Sequence, residues 1–260
     1  MAEIGQAVCA EYESRGLTGR AIFWHRDRAR IIADLQRFLH ADTARRSDQG
    51  TRPVAAELAF GLSGAPLGTV GLPLPDGRTV GFRGKADRVD VAVDGSLHVI
   101  DYKTGRADGY KGLCEDEPDL GGRRLQLAVY GEAARLFAGS PHAHVRAEYW
   151  FTSAKGDFAR IGYSVTPEVI RRVGRTVGSI VGGIEAGVFP NHPTATSTDP
   201  WVACPFCDPD ALGVAELRRH FERKRADPAM AAFAELADPG TEVETDVTTE
   251  AGGQAVTGDD

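Results

Sequence analysis

No apolar run in this sequence approaches the roughly 20 residues that a membrane-spanning helix needs, so no span is expected. The first residues, Met-Ala-Glu-Ile-Gly-Gln, lack the basic start and apolar centre of a secretory signal, which points to the cytoplasm. Cysteine is scarce: four in 260 residues, two of them in a Cys204-Pro-Phe-Cys207 unit, which is no framework for a secreted disulfide protein. Internal repeats are absent. So is any G-x-x-x-x-G-K-[ST] phosphate loop, and this stretch of chain is therefore not itself an ATP-driven motor. What remains is a length that can bury a real core without a disulfide or metal staple.

Basic excess is also missing. Thirty Lys and Arg against 37 Asp and Glu give a net charge of −7. The deficit is local, because Thr241–Asp260 holds six acids and no base, leaving −1 for residues 1–240. Within that body lie basic clusters at Arg123-Arg124, at Arg171, Arg172 and Arg175, and from Arg218 to Arg225. Such runs are ordinarily solvated helix faces, so net charge neither demands nor forbids a nucleic-acid partner.

Apolar residues at helical spacing (Ile22, Phe23, Ile31, Ile32, Leu35, Phe38, Leu39) predict a helix over 20–47 that Pro53 would follow as a breaker. Val54–Leu62 reads as a strand, followed by loops and short edges rich in Gly and Pro. Residues 79–104 read as strands around Asp94-Gly95, and Arg124–Ala138 as a helix with Leu125, Ala128, Val129, Leu136 and Phe137 inward. Val145–Phe151 and Phe158–Val165 suit a hairpin. Thr166-Pro167 opens a helix to about Ala186, with Thr166 as N-cap and proline in the first turn. Ala215–Ala226 reads as a charged helix. Past Pro239 almost nothing is apolar, and an acidic disordered tail is expected. The organisation is thus an N-terminal helical segment (1–19), one α/β domain (20–237) with a mixed central sheet flanked by helices, and a tail (238–260).

Chemistry concentrates in Gly84-Lys-Ala-Asp87-Arg-Val-Asp90, Asp94-Gly95 and Val99-Ile-Asp101-Tyr-Lys103-Thr-Gly105. Side chains alternate faces along a strand, so Asp87, Val89 and Val91 share one face, and Leu97, Val99, Asp101 and Lys103 share another. A three-residue loop with Gly95 left-handed pairs 91 with 97, 89 with 99 and 87 with 101, and the two apolar faces coincide. Asp87 and Asp101 should then be directly opposite, with Cβ atoms about 4.5–5.5 Å apart. Asp90 falls on the other, polar face with Arg88 and His98. A surface salt-bridge cluster would explain Asp87, Asp101 and Lys103 by spacing alone, but such a cluster does not need Val and Leu beneath it. Two carboxylates at the end of an apolar face are costly unless compensated. Mg²⁺, or Mn²⁺ in its place, held by both would compensate them, and commonly binds one or two carboxylates plus water and substrate phosphate. Lys103 would orient a water or offset transition-state charge.

These motifs resemble the PD-(D/E)XK nuclease superfamily, in particular the nuclease domain of RecB- and AddB-type helicase–nucleases. The resemblance runs over roughly residues 20–225 and implies a restriction-endonuclease-like fold. Its pattern continues with a helix carrying Gln and Tyr four residues apart, matched by Gln126 and Tyr130, which would touch DNA phosphate or the lysine. Glu57 stands where relatives often carry a glutamate, and reads as a structural partner. Two features depart from the pattern. Relatives carry a metal-binding His on a helix before the first strand, whereas His25 and His40 lie in the Arg-rich helix that follows it, so the chain resembles an N-terminally truncated member. AddB-like relatives also hold a [4Fe–4S] cluster. Cys204 and Cys207 match its late pair, but Gly213 stands at the last ligand position, and neither Cys9 nor Cys114 is an evident early partner. A cluster needs four ligands, so the pair reads as a remnant, with a zinc site the lesser alternative.

The resemblance implies a metal-dependent DNA nuclease, of exonuclease type, acting in recombination and repair beside a helicase that is either a missing N-terminal region or a partner chain. The competing class is a catalytically inactive nuclease-like module that binds DNA or a helicase. A restriction-type endonuclease is the third reading.

Overall fold

The computed structural model describes residues 2–190 and 215–237. Two helices open the chain, α1 (Ala2–Ser14) and α2 (Ala21–Gln49). They pack closely, since a Cβ on Gly5 would stand 3.0 Å from Ile32 and 3.1 Å from Leu35. Helix α2 stops at Gly50, whose φ of 59° lets its N–H turn back to the Arg46 carbonyl.

The chain then enters β1 (Thr51–Phe60), an edge strand of a five-stranded sheet ordered β1-β4-β5-β6-β7. Pro53 does not stand outside this strand as expected. It lies within it, where the register with β4 slips between Pro53 and Ala55. A residue without an N–H is tolerated on an edge strand at such an irregularity. Strands β2 (Val70–Pro73) and β3 (Thr79–Phe82) form a separate hairpin. The central pair follows, β4 (Gly84–Ala92) and β5 (Leu97–Lys103), antiparallel and closed by Gly95 at φ 83°. After a loop, α3 (Gln126–Ala138) crosses to β6 (Val145–Phe151), which lies parallel to β5. Strand β7 (Arg160–Ser164) returns antiparallel. Helix α4 (Pro167–Glu185) begins as predicted, with the Thr166 hydroxyl accepting the Val169 N–H at 3.2 Å. Helices α5 (Ala215–Lys224) and α6 (Ala231–Ala237) follow.

The core lies between one face of the sheet and helices α3 and α4. Val89, Leu97, Val99, Ala147, Tyr149 and Phe151 meet Leu127, Ala128, Val169 and Val173 there. The inward stripe of α3 differs from the expected one: Leu127, Ala128, Val129, Ala133 and Ala134 are buried, while Leu136 and Phe137 are exposed in the last turn. That turn lies near the helix end at Gly139, where fewer neighbours cover an apolar side chain. Helix α2 covers the opposite face, where Phe38 packs edge-on against both Tyr102 and Trp150. The tail, Cys204, Cys207 and Gly213 lie outside the described residues.

Candidate active site

The expected hairpin register holds along most of its length, with Val91 opposite Leu97 and Val89 opposite Val99. It ends one step early. The last paired residues of β4 and β5 are Arg88 and Ile100, so Asp87 and Asp101 are not a ladder pair. Beyond that point a side chain replaces the main chain, and Asp87 Oδ2 accepts the Tyr102 N–H at 2.8 Å. The carboxylate is thereby tied to the backbone residue between Asp101 and Lys103.

Asp101 is only 2% exposed. Burial pushes its carboxyl above the ordinary aspartate range, the Lys103 ammonium works against that, and the charge of Asp87 raises it further. The two carboxylates therefore feel each other. Lys103 forms an ion pair with Asp101 Oδ2. Its ammonium also donates to Gln126 Oε1 at 3.4 Å, at the start of α3. Gln126 in turn donates through Nε2 to the Tyr130 hydroxyl at 3.1 Å, one helical turn on. Asp87, Asp101, Lys103, Gln126 and Tyr130 thus lie at one end of the sheet, on the α3 side. Glu57 is exposed and pairs with Lys85 at 3.2 Å, with its backbone at φ 52°.

Tyr149 belongs to this group although no motif marks it. It sits opposite Asp101 in the parallel β5–β6 pairing. Its hydroxyl approaches Gln126 Oε1 at 3.5 Å, and the Lys103 ammonium lies 5.1 Å from its ring centre. Burial holds the phenol well above its ordinary range, so it stays protonated as a donor. Tyr110 packs on Tyr149 at 4.7 Å, and the Arg124 guanidinium covers Tyr110 at 4.2 Å. The alternation of β6 puts Tyr149 on one face with Val145 and Ala147. What could not be read was that β6 lies beside β5.

The polar face that carries Asp90 and Arg88 is covered rather than open to solvent. Asp90 is wholly buried beneath α2. Arg88 holds it with two bonds of 2.6 Å, and Arg45 adds a third of 2.5 Å. Paired charges can be buried where isolated ones cannot, and α2 supplies the partners Asp42 and Arg45.

Two carboxylates and their geometry are what this site offers a cation. They fit an ion that takes one or two carboxylates and completes its shell with water and phosphate, and a cation between them would relieve the charge that burial and Asp87 resist on Asp101. Among the described residues no group of three or more His, Cys, Asp or Glu is placed to hold a metal. His25 and His40 lie on α2 and are exposed.

The family model of the PD-(D/E)XK nuclease superfamily matches residues 2–211, and the chain belongs to that superfamily. It is similar to an ATP-dependent helicase/deoxyribonuclease subunit of Lacticaseibacillus casei, 31% identical over 150 residues, covering 54% of this chain and 12% of that protein. The proteins of the same name from Desulforudis audaxviator and Desulforamulus reducens are 45% identical over 85 residues and 37% over 101. Those matches cover 32% and 38% of this chain. The chain spans 12% or less of the length of these curated relatives.

Proposed function

We propose that this chain is a divalent-metal-dependent deoxyribonuclease of exonuclease type, hydrolysing DNA phosphodiesters in recombination and repair beside a helicase, in the cytoplasm. The observation that carries the reading is the gathering of Asp87, Asp101 and Lys103 at one sheet end in a member of a nuclease superfamily. Asp87 and Asp101 would hold Mg²⁺ or Mn²⁺, which supplies an activated water and neutralises charge growing at phosphorus. Lys103 keeps a positive charge beside the scissile phosphate, held in place by Gln126. Gln126 and Tyr130 offer polar groups to the DNA backbone. The helicase partner is suggested by the names of the relatives, and DNA as substrate by the same names. Cys204 and Cys207 are read as a remnant of an iron–sulfur site.

The test is Mg²⁺-dependent cleavage of single- and double-stranded DNA ends by the purified chain, with Asp87→Ala and Asp101→Ala as variants that should fold but not cut. Full activity in either would overturn the assignment. One observation favours the second reading, a nuclease-like module that grips DNA or a helicase without cutting: no third acidic, His or Cys group stands by the carboxylate pair among the described residues. DNA binding without metal-dependent cleavage would select it.

A further inference from the structure

Behind the carboxylate pair, under α2, lies a second polar cluster built from Asp42, Arg45, Arg88, Asp90 and Tyr102. Arg88 is its hub. Besides the two bonds to Asp90, one of its terminal nitrogens donates to Asp42 Oδ1 at 2.9 Å and to the Tyr102 hydroxyl at 3.1 Å. Arg46 closes the outer side through a 3.0 Å bond to Asp42. Burying ion pairs is at best a neutral choice for stability when an apolar packing could fill the space. The cluster has a geometric consequence that an apolar packing would not have. It ends on Tyr102.

Arg88 follows Asp87 on β4, and Tyr102 separates Asp101 from Lys103 on β5. Neighbours on a strand face opposite ways. Whatever fixes Arg88 and Tyr102 from the α2 side therefore fixes the groups that face α3. The link is also direct, because the Tyr102 N–H holds Asp87 Oδ2 at 2.8 Å where the ladder has already ended. Phe38 supports the Tyr102 ring edge-on, with centres 5.4 Å apart.

We infer that Arg88 and Tyr102 are positioning residues: the ion cluster under α2 clamps the Tyr102 backbone and through it sets the separation of the Asp87 and Asp101 carboxylates. The consequence for metal and DNA rests on the nuclease reading; the clamp itself does not. Tyr102→Phe separates the two, since it removes the hydroxyl while Arg88 keeps Asp42 and Asp90 as partners and the chain keeps its fold. Three measurements on wild type and variant make the test: amide exchange in the metal-free chain by NMR, Mn²⁺ titration without DNA, and cleavage at saturating Mn²⁺.

The expected result is exchange at residue 102 faster by about tenfold, the scale of one lost hydrogen bond to a charged group, with α3 amides unchanged. Mn²⁺ affinity should fall by about tenfold, the lower end of the range seen when groups that orient metal ligands are removed, and cleavage should fall with it. Unchanged exchange at residue 102, or acceleration shared equally by α3, overturns the clamp. Equal Mn²⁺ affinity in a wild type and variant that both bind overturns its link to the site. If wild type neither binds Mn²⁺ nor cuts while exchange at residue 102 still accelerates, the clamp stands and the nuclease reading falls.

Discussion

Lys103 forms an ion pair with Asp101 two residues earlier on the same strand face, and this pair is the only source of positive charge that Asp101 meets in its immediate contacts among the described residues. The ammonium partly offsets the cost of burying the carboxylate. It leaves Asp87 to act on Asp101 in the opposite sense. A bound divalent cation would take over the compensation and free the ammonium for the substrate.

The first expectation is a pH dependence. Burial first, and Asp87 next, raise the Asp101 carboxyl above its ordinary value of 3.8. The folded chain thus holds a proton that the unfolded chain has released, so between 3.8 and the higher folded value stability falls as pH rises. Asp101→Asn should remove that fall. Taking the difference between variant and wild type in metal-free thermal melts from pH 3 upward cancels the opposite slopes of Asp94 and Asp108, whose values are lowered. Parallel melting curves for the two proteins would show that Asp101 carries no such strain.

Lys103→Ala separates chemistry from grip. An ammonium has no lone pair for a metal, so Mn²⁺ affinity should hold or rise when a nearby positive charge is lost. Cleavage should fall by about 100-fold or more, the scale of one preorganised stabilising group. DNA affinity should fall little, since phosphate contacts are spread over many groups. Normal cleavage, or loss of metal binding, would make the lysine structural.

Gln126 holds both the lysine and Tyr130. Gln126→Ala should therefore lower cleavage by about tenfold, in proportion to one or two lost polar contacts, while Tyr130→Phe costs less because only one of Gln126's partners is removed. Steady-state rates with a labelled DNA end distinguish these. Equal and large losses in both would point instead to direct DNA contacts from Tyr130.

Much of the hairpin was legible because strand parity is strict: apolar Val89, Leu97 and Val99 had to share a face, and Asp101 and Lys103 followed. The end of the ladder was not legible, because Asp87 accepting the Tyr102 N–H depends on a side-chain orientation that no periodicity encodes. The charged burial under α2 was hidden for another reason. Asp42 and Arg45 look like an ordinary solvated helix face until the helix is laid on Arg88 and Asp90, which lie more than 40 positions away. Tyr149 was missed because pairing between β5 and β6 is long-range. Pro53 misled because its rule changes at a sheet edge.

The cysteines give a spectroscopic expectation. Cys9 is buried in α1 and Cys114 exposed in the loop after β5, and the sequence has Gly213 where a fourth ligand would be needed. The purified chain should be colourless, without visible iron–sulfur absorbance. A brown protein with about four irons per chain would mean that all four thiols combine.

The last expectation concerns what the buried cluster contributes to folding. Asp90 accepts from both Arg88 and Arg45 and is buried away from solvent. Asp90→Ala leaves the buried guanidinium groups of Arg45 and Arg88 to share one remaining carboxylate, Asp42, with Arg46. Breaking one side of a buried pair costs about 3–5 kcal/mol, because the surviving charge is stranded rather than because the pair itself was so favourable. Urea denaturation should show that loss as a lower midpoint at unchanged slope. Replacing Arg45, Arg88 and Asp90 together with Met or Leu should recover much of the stability, since Asp42 then keeps Arg46 as its partner and no buried guanidinium is left unpaired. A triple variant as unstable as Asp90→Ala would show that the ions contribute cohesion in their own right.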